Sequence, residues 1–157
     1  MVDTFPTQRP SGGIRLNEAQ GIIDAALEQG RSFTLPPLTV GVLDNAGRLV
    51  ALKREDGSSL LRPEIAQAKA FGALAMGTGS RALAERAVTH PAFVHSITAL
   101  AGGALIPVPG GVLIFDRGGT LLGAVGVSGA MPDQDEACAI AGIKALDLVA
   151  EPGAPGH

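Results

Sequence analysis

Two segments with the same residue pattern decide the fold: residues 42–49 (VLDNAGRL) and residues 114–121 (IFDRGGTL). In each segment an apolar stretch leads into an Asp, a Gly lies further along, and an apolar residue follows. The Asp side chain can accept hydrogen bonds from the backbone of its own turn, and the Gly can take the positive φ that a tight turn needs. Each segment therefore predicts a β-hairpin. We attribute their similarity to shared turn chemistry rather than to a duplicated domain.

Apolar residues at helical spacing predict helices around these hairpins. The first helix begins at Asn17, a favourable N-cap, and ends at about Gln29, because Gly30 favours a stop. The later helices are predicted over residues 61–76 and 80–88, and from Pro132 to about residue 150. The region 89–111 is rich in Gly and Pro, so it predicts loops with one short strand.

The order of these elements predicts the fold class. Strands that arrive as hairpins pair antiparallel, so we expect an α+β fold in which helices pack on the faces of an antiparallel sheet. The length of 157 residues is enough for one domain. We expect that domain at residues 17–150, with a flexible N-terminal arm at 1–16 and a disordered tail at 151–157.

The composition bears on the partners of the chain. Charged residues make up 17% of the sequence, against about 25% in an average soluble domain. A surface so poor in charge favours burial between subunits, and we expect a homo-oligomer. The twelve basic residues are scattered and Trp and Tyr are absent, so nothing indicates a nucleic-acid partner.

Three further features bear on localisation. The single cysteine, Cys138, excludes an intramolecular disulfide and suits a reducing compartment. Residues 1–13 lack the basic and apolar regions of a signal peptide. No apolar run reaches the roughly 18 residues of a membrane span. We expect a cytoplasmic protein without a membrane partner.

Carboxylates crowd the predicted start of the last helix. Asp133, Asp135 and Glu136 lie in or beside its first turn, where negative charge complements the helix dipole. Alternatively, the preceding turn at Ser128 and Gly129 offers free backbone N–H groups to a polar or anionic ligand, and the carboxylates select that ligand or carry protons. The sequence leaves both interpretations open.

A second group of charged residues is predicted around the central helix. Lys69 lies at the margin of its apolar stripe, and Glu64 precedes it. Lys69 is either a surface lysine with a buried stem, or a partly desolvated lysine with a lowered pKa beside a carboxylate. Arg54, at a predicted strand end, carries a guanidinium that can hold a carboxylate.

Histidine is scarce in this chain. His90 and His95 are five residues apart, a spacing that forms no chelating pair on a helix or a strand, and we predict no metal site. His90 precedes Pro91 and is interpreted as a loop residue. His95 is the better candidate for ligand binding or proton transfer.

Several of these segments, in this order, carry a family resemblance over roughly residues 17–149. The chain resembles the GlcG/HbpS-like heme-binding family, also called the heme-degrading domain or PduO C-terminal-like family. The segments are VLDNAGRLVAL (42–52), REDGS (54–58), EIAQAK (64–69), IPV (106–108), GAVGVSG (123–129) and PDQDEACAIA (132–141).

This resemblance implies a profilin-like architecture, assembly into dimers or larger rings, and ligand sites at or near subunit contacts. It also implies heme or cobalamin-related biology, or small-acid metabolism. In heme-binding relatives the iron ligand is typically a His in the N-terminal part, whereas this sequence has no His before His90. Met76, Met131 and His95 are the alternative iron ligands.

Two functions remain open at this stage. The first is a binding protein for heme or another tetrapyrrole. The second is a cofactor-independent lyase, isomerase or dehydratase that acts on a small carboxylate-bearing metabolite. In that enzyme Arg54 anchors the substrate, while Lys69, Glu64 and either Asp133 or Asp135 act as acid and base.

Overall fold

The computed structural model describes residues 12–154. In this part of the chain, helices surround five β-strands. The elements in chain order are α1 (Leu16–Ser32), β1 (Thr39–Asp44), β2 (Leu49–Arg54), α2 (Arg62–Met76), α3 (Ser80–Thr89), α4 (Pro91–Leu100), β3 (Gly111–Phe115), β4 (Leu121–Ser128), α5 (Pro132–Ala145) and β5 (Val149–Glu151).

The strands form one sheet in the order β2-β1-β4-β3-β5, and every neighbouring pair is antiparallel. The predicted hairpins are the β1–β2 and β3–β4 pairs, and Asp44 and Asp116 accept backbone N–H groups of their own turns through Oδ1. The predicted α+β fold is therefore confirmed. The sheet places the N-terminus of β1 beside the C-termini of β2 and β4, where many polar side chains gather.

Helices cover both faces of the sheet. Helices α1 and α5 pack together on one face, over the larger apolar core, and α2 packs on the other face. The larger core contains the alternate residues Val40 and Val42 of β1 and Val125 and Val127 of β4. This alternation follows from the two-residue period of a strand, so the intervening residues face α2.

Helix α2 approaches the sheet closely because glycines line its path. A Cβ at Gly126 of β4 would lie 1.8 Å from the carbonyl oxygen of Ala66, and one at Gly111 of β3 would lie 2.1 Å from that of Lys69. Both contacts fall on backbone atoms, so only glycine fits without moving the helix. This close approach brings Lys69 to the strand ends.

Several elements differ from the sequence predictions. Helix α1 begins at Leu16, with Arg15 rather than Asn17 as its N-cap. Helix α1 continues past Gly30, whose lack of a side chain makes room for Leu38, since a Cβ would lie 2.6 Å from Leu38 Cδ1. Helix α4 occupies part of the region predicted as loops, because Pro91 stands at its start, where a missing N–H costs nothing. The last helix ends at Ala145, and the chain then forms β5.

The predicted domain limits fall on ordered backbone at both ends. Ile14, assigned to the arm, is buried and its backbone N–H donates to the Leu122 carbonyl. Glu151, assigned to the tail, belongs to β5 and accepts hydrogen bonds from the backbone N–H groups of Gly79 and Gly153. Both assignments are wrong at these residues because each segment adds backbone hydrogen bonds to the fold. The rest of the predicted arm and tail, residues 1–11 and 155–157, lies outside the described residues.

Candidate functional site

A row of polar side chains crosses the end of the sheet on the face toward α2. Thr39 of β1 pairs in register with Arg54 of β2 on one side and Ser128 of β4 on the other. Ser128 is two residues beyond Gly126, whose Cβ position points at α2, so all three side chains share that face. We call Arg54, Thr39 and Ser128 the strand-end row. The side chains of Thr39 and Ser128 are fully buried.

Lys69 and Asp135 form a buried ion pair beside this row. Lys69 Nζ lies 3.0 Å from Asp135 Oδ2 and donates a second hydrogen bond, of 2.9 Å, to the Val127 carbonyl. The side chains are only 4% and 2% exposed. The pair therefore joins α2 on one face of the sheet to α5 on the other, around the end of β4.

Burial shifts both members of this pair toward their neutral forms. Desolvation lowers the pKa of Lys69, and its attraction to Asp135 opposes that shift. Desolvation likewise raises the pKa of Asp135, while Lys69 and the Ala130 N–H oppose the rise. The structure thus has a desolvated Lys69 beside a carboxylate, one of the two alternatives that the sequence left open, and that carboxylate is Asp135.

Arg62 completes the polar group and was missed from the sequence. Its Nη1 donates to Ser128 Oγ at 3.0 Å, and its Nε donates to Ser59 Oγ at 3.1 Å. Arg62 also acts electrostatically on both Lys69 and Asp135. The sequence signal was present, since Arg62 lies one helical repeat of seven residues before Lys69 and so shares its face.

Two backbone N–H groups at the turn before α5 are already engaged by side chains of that helix. The Ala130 N–H donates to Asp135 Oδ1 at 2.9 Å, and the Met131 N–H donates to Gln134 Oε1 at 3.2 Å. Gly129 has a φ of 148°, and a Cβ there would lie 2.4 Å from the Pro37 carbonyl oxygen. Glycine at this position therefore lets the turn approach the start of β1.

The other carboxylates of α5 belong to a separate ion-pair group. Arg81 of α3 lies 2.5 Å from Asp133 and 3.0 Å from Glu136. The hydrogen bonds that Arg81 donates to Glu136 and Asp133 raise its pKa. Asp133 is thus engaged by an arginine of α3, and the structure does not bring it to Lys69.

Glu64 lies on another side of α2, where it lines an apolar cleft of about 550 Å³. The walls come from α2, from the first hairpin and from the segment after α4, and we call this space the apolar cleft. Its lining residues are Leu43, Gly47, Leu49, Leu61, Glu64, Ile65, Gln67, Ala68, Phe71, Gly102, Gly103, Ala104 and Ile106. Glu64 is exposed there, and the predicted trio of Lys69, Glu64 and Asp135 is therefore divided between two places.

Two predicted ligand-binding residues remain. Arg54 is exposed and its Nη1 donates to the Ser58 carbonyl at 3.4 Å, so it stands at the open end of the strand-end row. His95 is exposed on α4, which packs on α3. His95 lines neither the apolar cleft nor the polar group at the strand ends. No helix within residues 12–154 is long and apolar enough to cross a membrane.

The fold and the cleft together define the class of protein. It is a small α+β protein whose antiparallel sheet is covered by helices on both faces, with a ligand-sized cleft beside α2. The chain belongs to the family described as haem degrading protein HbpS-like, whose model matches residues 14–144. The resemblance inferred from the sequence is confirmed.

Known structures and a curated relative agree with this assignment. The chain superimposes on the structure of a PduOC:heme complex with a TM-score of 0.78, at 25% identity over 87% of this chain and 97% of that one. It superimposes on HbpS with a TM-score of 0.72, at 26% identity over 90% and 96% of the two chains. It is 26% identical to the corrinoid adenosyltransferase PduO of Citrobacter freundii over 94% of this chain, but spans only 43% of that enzyme.

Proposed function

We propose that this protein binds a flat, largely apolar ligand of the tetrapyrrole class, with heme as the first candidate, in the apolar cleft. The observation that carries the proposal is the similarity to the PduOC:heme complex, which extends over 97% of that chain. The proposal assigns to this chain a ligand that is present in a relative of the same fold and family.

The apolar cleft supports this assignment by its size and chemistry. Its volume of about 550 Å³ falls within the range of roughly 300–1,000 Å³ that is usual for small-molecule sites. Leu61, at the N-cap of α2, and Ile65 and Phe71 within that helix offer apolar surface to a macrocycle. Burial of that surface would supply most of the binding free energy.

The cleft fits the macrocycle better than it fits the iron. Among its described lining residues are no His, Cys, Met or Tyr, the side chains that usually hold heme iron. The alternative ligands that the sequence offered, Met76, Met131 and His95, do not line it either. We therefore assign no residue of this chain as an axial ligand, and binding would rest on the contacts of the porphyrin.

A hemin titration followed at the Soret band tests this proposal. We expect a saturable shift in the wild type and about tenfold weaker binding in Leu61→Glu, which places a charge on the cleft wall. The matched control is Leu60→Glu, because Leu60 is 84% exposed, adjacent in sequence and outside the lining. Absence of a saturable shift, or equal weakening in both variants, would overturn the assignment.

A second candidate function is acid–base catalysis at Lys69 and Asp135. It is supported by the opposite pKa shifts of this pair, since perturbed ionisable pairs are common at active sites. The catalytic pair would need to open to a substrate, because both side chains are almost enclosed. Acetylation at pH 8 followed by mass spectrometry tests that access: an available base makes Lys69 react faster than Lys53 and Lys144. If Lys69 reacts slowest, this candidate fails.

We also propose that the protein self-associates through the surface near α4. Leu100, at the end of α4, is 88% exposed, and Val88 of α3 is 82% exposed. The proposal takes these side chains as parts of one apolar surface on the packed helices α3 and α4, since a contiguous apolar patch is typical of a contact surface. Sedimentation velocity should show a species heavier than the monomer that Leu100→Glu dissociates. A wild-type monomer at high concentration would contradict the proposal.

A further inference from the structure

We propose that the strand-end row, together with Arg62, is a binding site for a small oxyanion, the carboxylate or phosphate group of a metabolite. This site lies apart from the apolar cleft, and the proposal does not depend on heme binding. It rests on the positions of the polar groups, on their hydrogen-bond inventory and on the local balance of charge.

The positions bring cationic and hydroxyl groups to one corner of the molecule. Residues paired in register on one face of a sheet have Cβ atoms about 4.5–5.5 Å apart, so Thr39 stands between Arg54 and Ser128. Ser58 lies against the row, with its Oγ 2.9 Å from Thr39 Oγ1. Arg62 reaches Ser128 from the first turn of α2.

The hydrogen-bond inventory shows more donors than acceptors at this corner. A guanidinium has five N–H groups, and Arg62 uses one on Ser128 and one on Ser59, which leaves three without an acceptor among residues 12–154. The Ser128 hydroxyl accepts from Arg62, and its own proton has no acceptor in the same part of the chain. Because this side chain is fully buried, an anion would meet the two arginines first and would reach the Ser128 hydroxyl as Arg62 turns toward the anion. A ligand that only accepts hydrogen bonds, as an oxyanion does, matches this surplus.

The local charge also favours an anion. Neither Arg54 nor Arg62 forms a salt bridge with a carboxylate of the described residues. The carboxylate that faces this corner from α5, Asp135, is held by Lys69 and by the Ala130 N–H. Glu55, next to the row, is held by Arg31 and by the Leu38 N–H. The two arginines therefore keep their charge available.

The site is distinct from the apolar cleft because the two lie on different sides of α2. Leu61, Glu64 and Ala68 line the cleft, whereas Arg62 and Lys69 face the strand ends. At 100° per residue, Arg62 and Lys69 are 20° apart around the helix, and Glu64 is about 160° from Arg62. A failure of hemin binding would thus leave the anion site untouched.

Titrations with sodium succinate and with inorganic phosphate, followed by amide NMR shifts at low ionic strength, test the proposal. Low salt is needed because Arg54 is exposed and its attraction is screened. We expect at least one anion to bind saturably, with shifts around Ser128, and we expect a dissociation constant at least tenfold higher in Arg62→Gln. The matched control is Arg48→Gln, which removes one exposed arginine from the turn between β1 and β2.

The outcomes separate clearly. Saturable binding of succinate alone, of phosphate alone or of both, lost in Arg62→Gln and kept in Arg48→Gln, supports the site and identifies the group it prefers. Equal binding by the two variants, or no saturable binding of either anion, overturns it. Should Arg62→Gln fail to fold, Arg54→Gln and Ser128→Ala provide the same test, since each removes one donor from the row. The hemin titration of each variant is expected to be unchanged.

Discussion

Lys69 Nζ lies 3.0 Å from Asp135 Oδ2 in an ion pair that connects helices on opposite faces of the sheet. Its side chains are 4% and 2% exposed, whereas those of the Lys53–Asp24 pair are 49% and 61% exposed. An exposed pair contributes little to stability, while a charge left alone in the interior is costly. These two lysines therefore allow burial to be tested with the same chemical change.

Removal of one partner should destabilise the protein much more than removal of both. We expect Lys69→Met to lower the free energy of unfolding by about 3–5 kcal/mol, because Asp135 is then left buried without its cation. The double variant Lys69→Met/Asp135→Leu should recover most of that loss. Urea unfolding measures both effects, and Lys53→Met, expected to cost about 0–1 kcal/mol, is the control. A double variant no more stable than Lys69→Met would contradict this expectation.

The same double variant isolates the pH dependence of the pair. The raised pKa of Asp135 gives stability that is present below its ordinary pKa of 3.8 and is lost as pH rises through the folded-state pKa. The lowered pKa of Lys69 gives stability that is present above 10.5 and is lost as pH falls through the folded-state pKa.

The stability of the wild type relative to the double variant should therefore be lowest near neutral pH and should rise toward both extremes. Urea midpoints of the two proteins at acidic, neutral and alkaline pH measure the difference, and the other ionisable groups cancel in it. A difference that is largest in favour of the wild type at neutral pH would show that attraction outweighs desolvation.

Histidine should not be needed for hemin binding. His90 joins α3 to α4, His95 is exposed on α4, and neither lines the apolar cleft. We expect His90→Ala/His95→Ala to give the same hemin affinity and Soret maximum as the wild type. Adding His157→Ala extends the test to the histidine outside the described residues. A lost or displaced Soret band would mean that a histidine ligates the iron.

Cys138 should be a slow nucleophile in the folded protein. Burial, aided by the negative charges of Asp135 and Glu55, raises the pKa of its thiol from 9.0 to about 11. Below both values this shift leaves about a hundredfold less thiolate, which is the reactive form. We expect iodoacetamide at pH 8 to modify Cys138 far more slowly in buffer than in urea. Comparable rates in the two solutions would show that the thiol is accessible in the native state.

Local chemistry was enough to predict most of the fold. The hairpin turns follow from Asp and Gly at fixed positions, and α2 was predicted to within one residue because Gly77 ends it in a left-handed conformation. Helix α4 was missed because the Gly- and Pro-rich composition of residues 89–111 favours loops, although a proline such as Pro91 is well suited to the first turn of a helix. Strand β5 is short and depends on pairing with β3, which no local pattern reveals.

The candidate site was only partly predictable, since its contacts join distant parts of the chain. Lys69 and Asp135 were each singled out by a charge in an otherwise apolar or helix-capping context, but 66 residues separate them in sequence. The same separation divides Arg62 from Ser128. Only the sheet register brings Arg54 and Ser128 to opposite sides of Thr39. The position of Glu64, by contrast, could be read from the sequence, because five residues of helix turn it about 140° away from Lys69.

The double hydrogen bond of Lys69, to the Val127 carbonyl and to Asp135, has a consequence for how the molecule opens. If either α2 or α5 leaves the sheet at this corner, the Lys69–Asp135 ion pair separates, and the helix that stays behind keeps a charge without its partner. Native-state hydrogen exchange should therefore report α2, β4 and α5 as one cooperative unit, whose amides exchange only through global unfolding. Helix α4, which has a single buried residue, Val94, should exchange by local opening long before them.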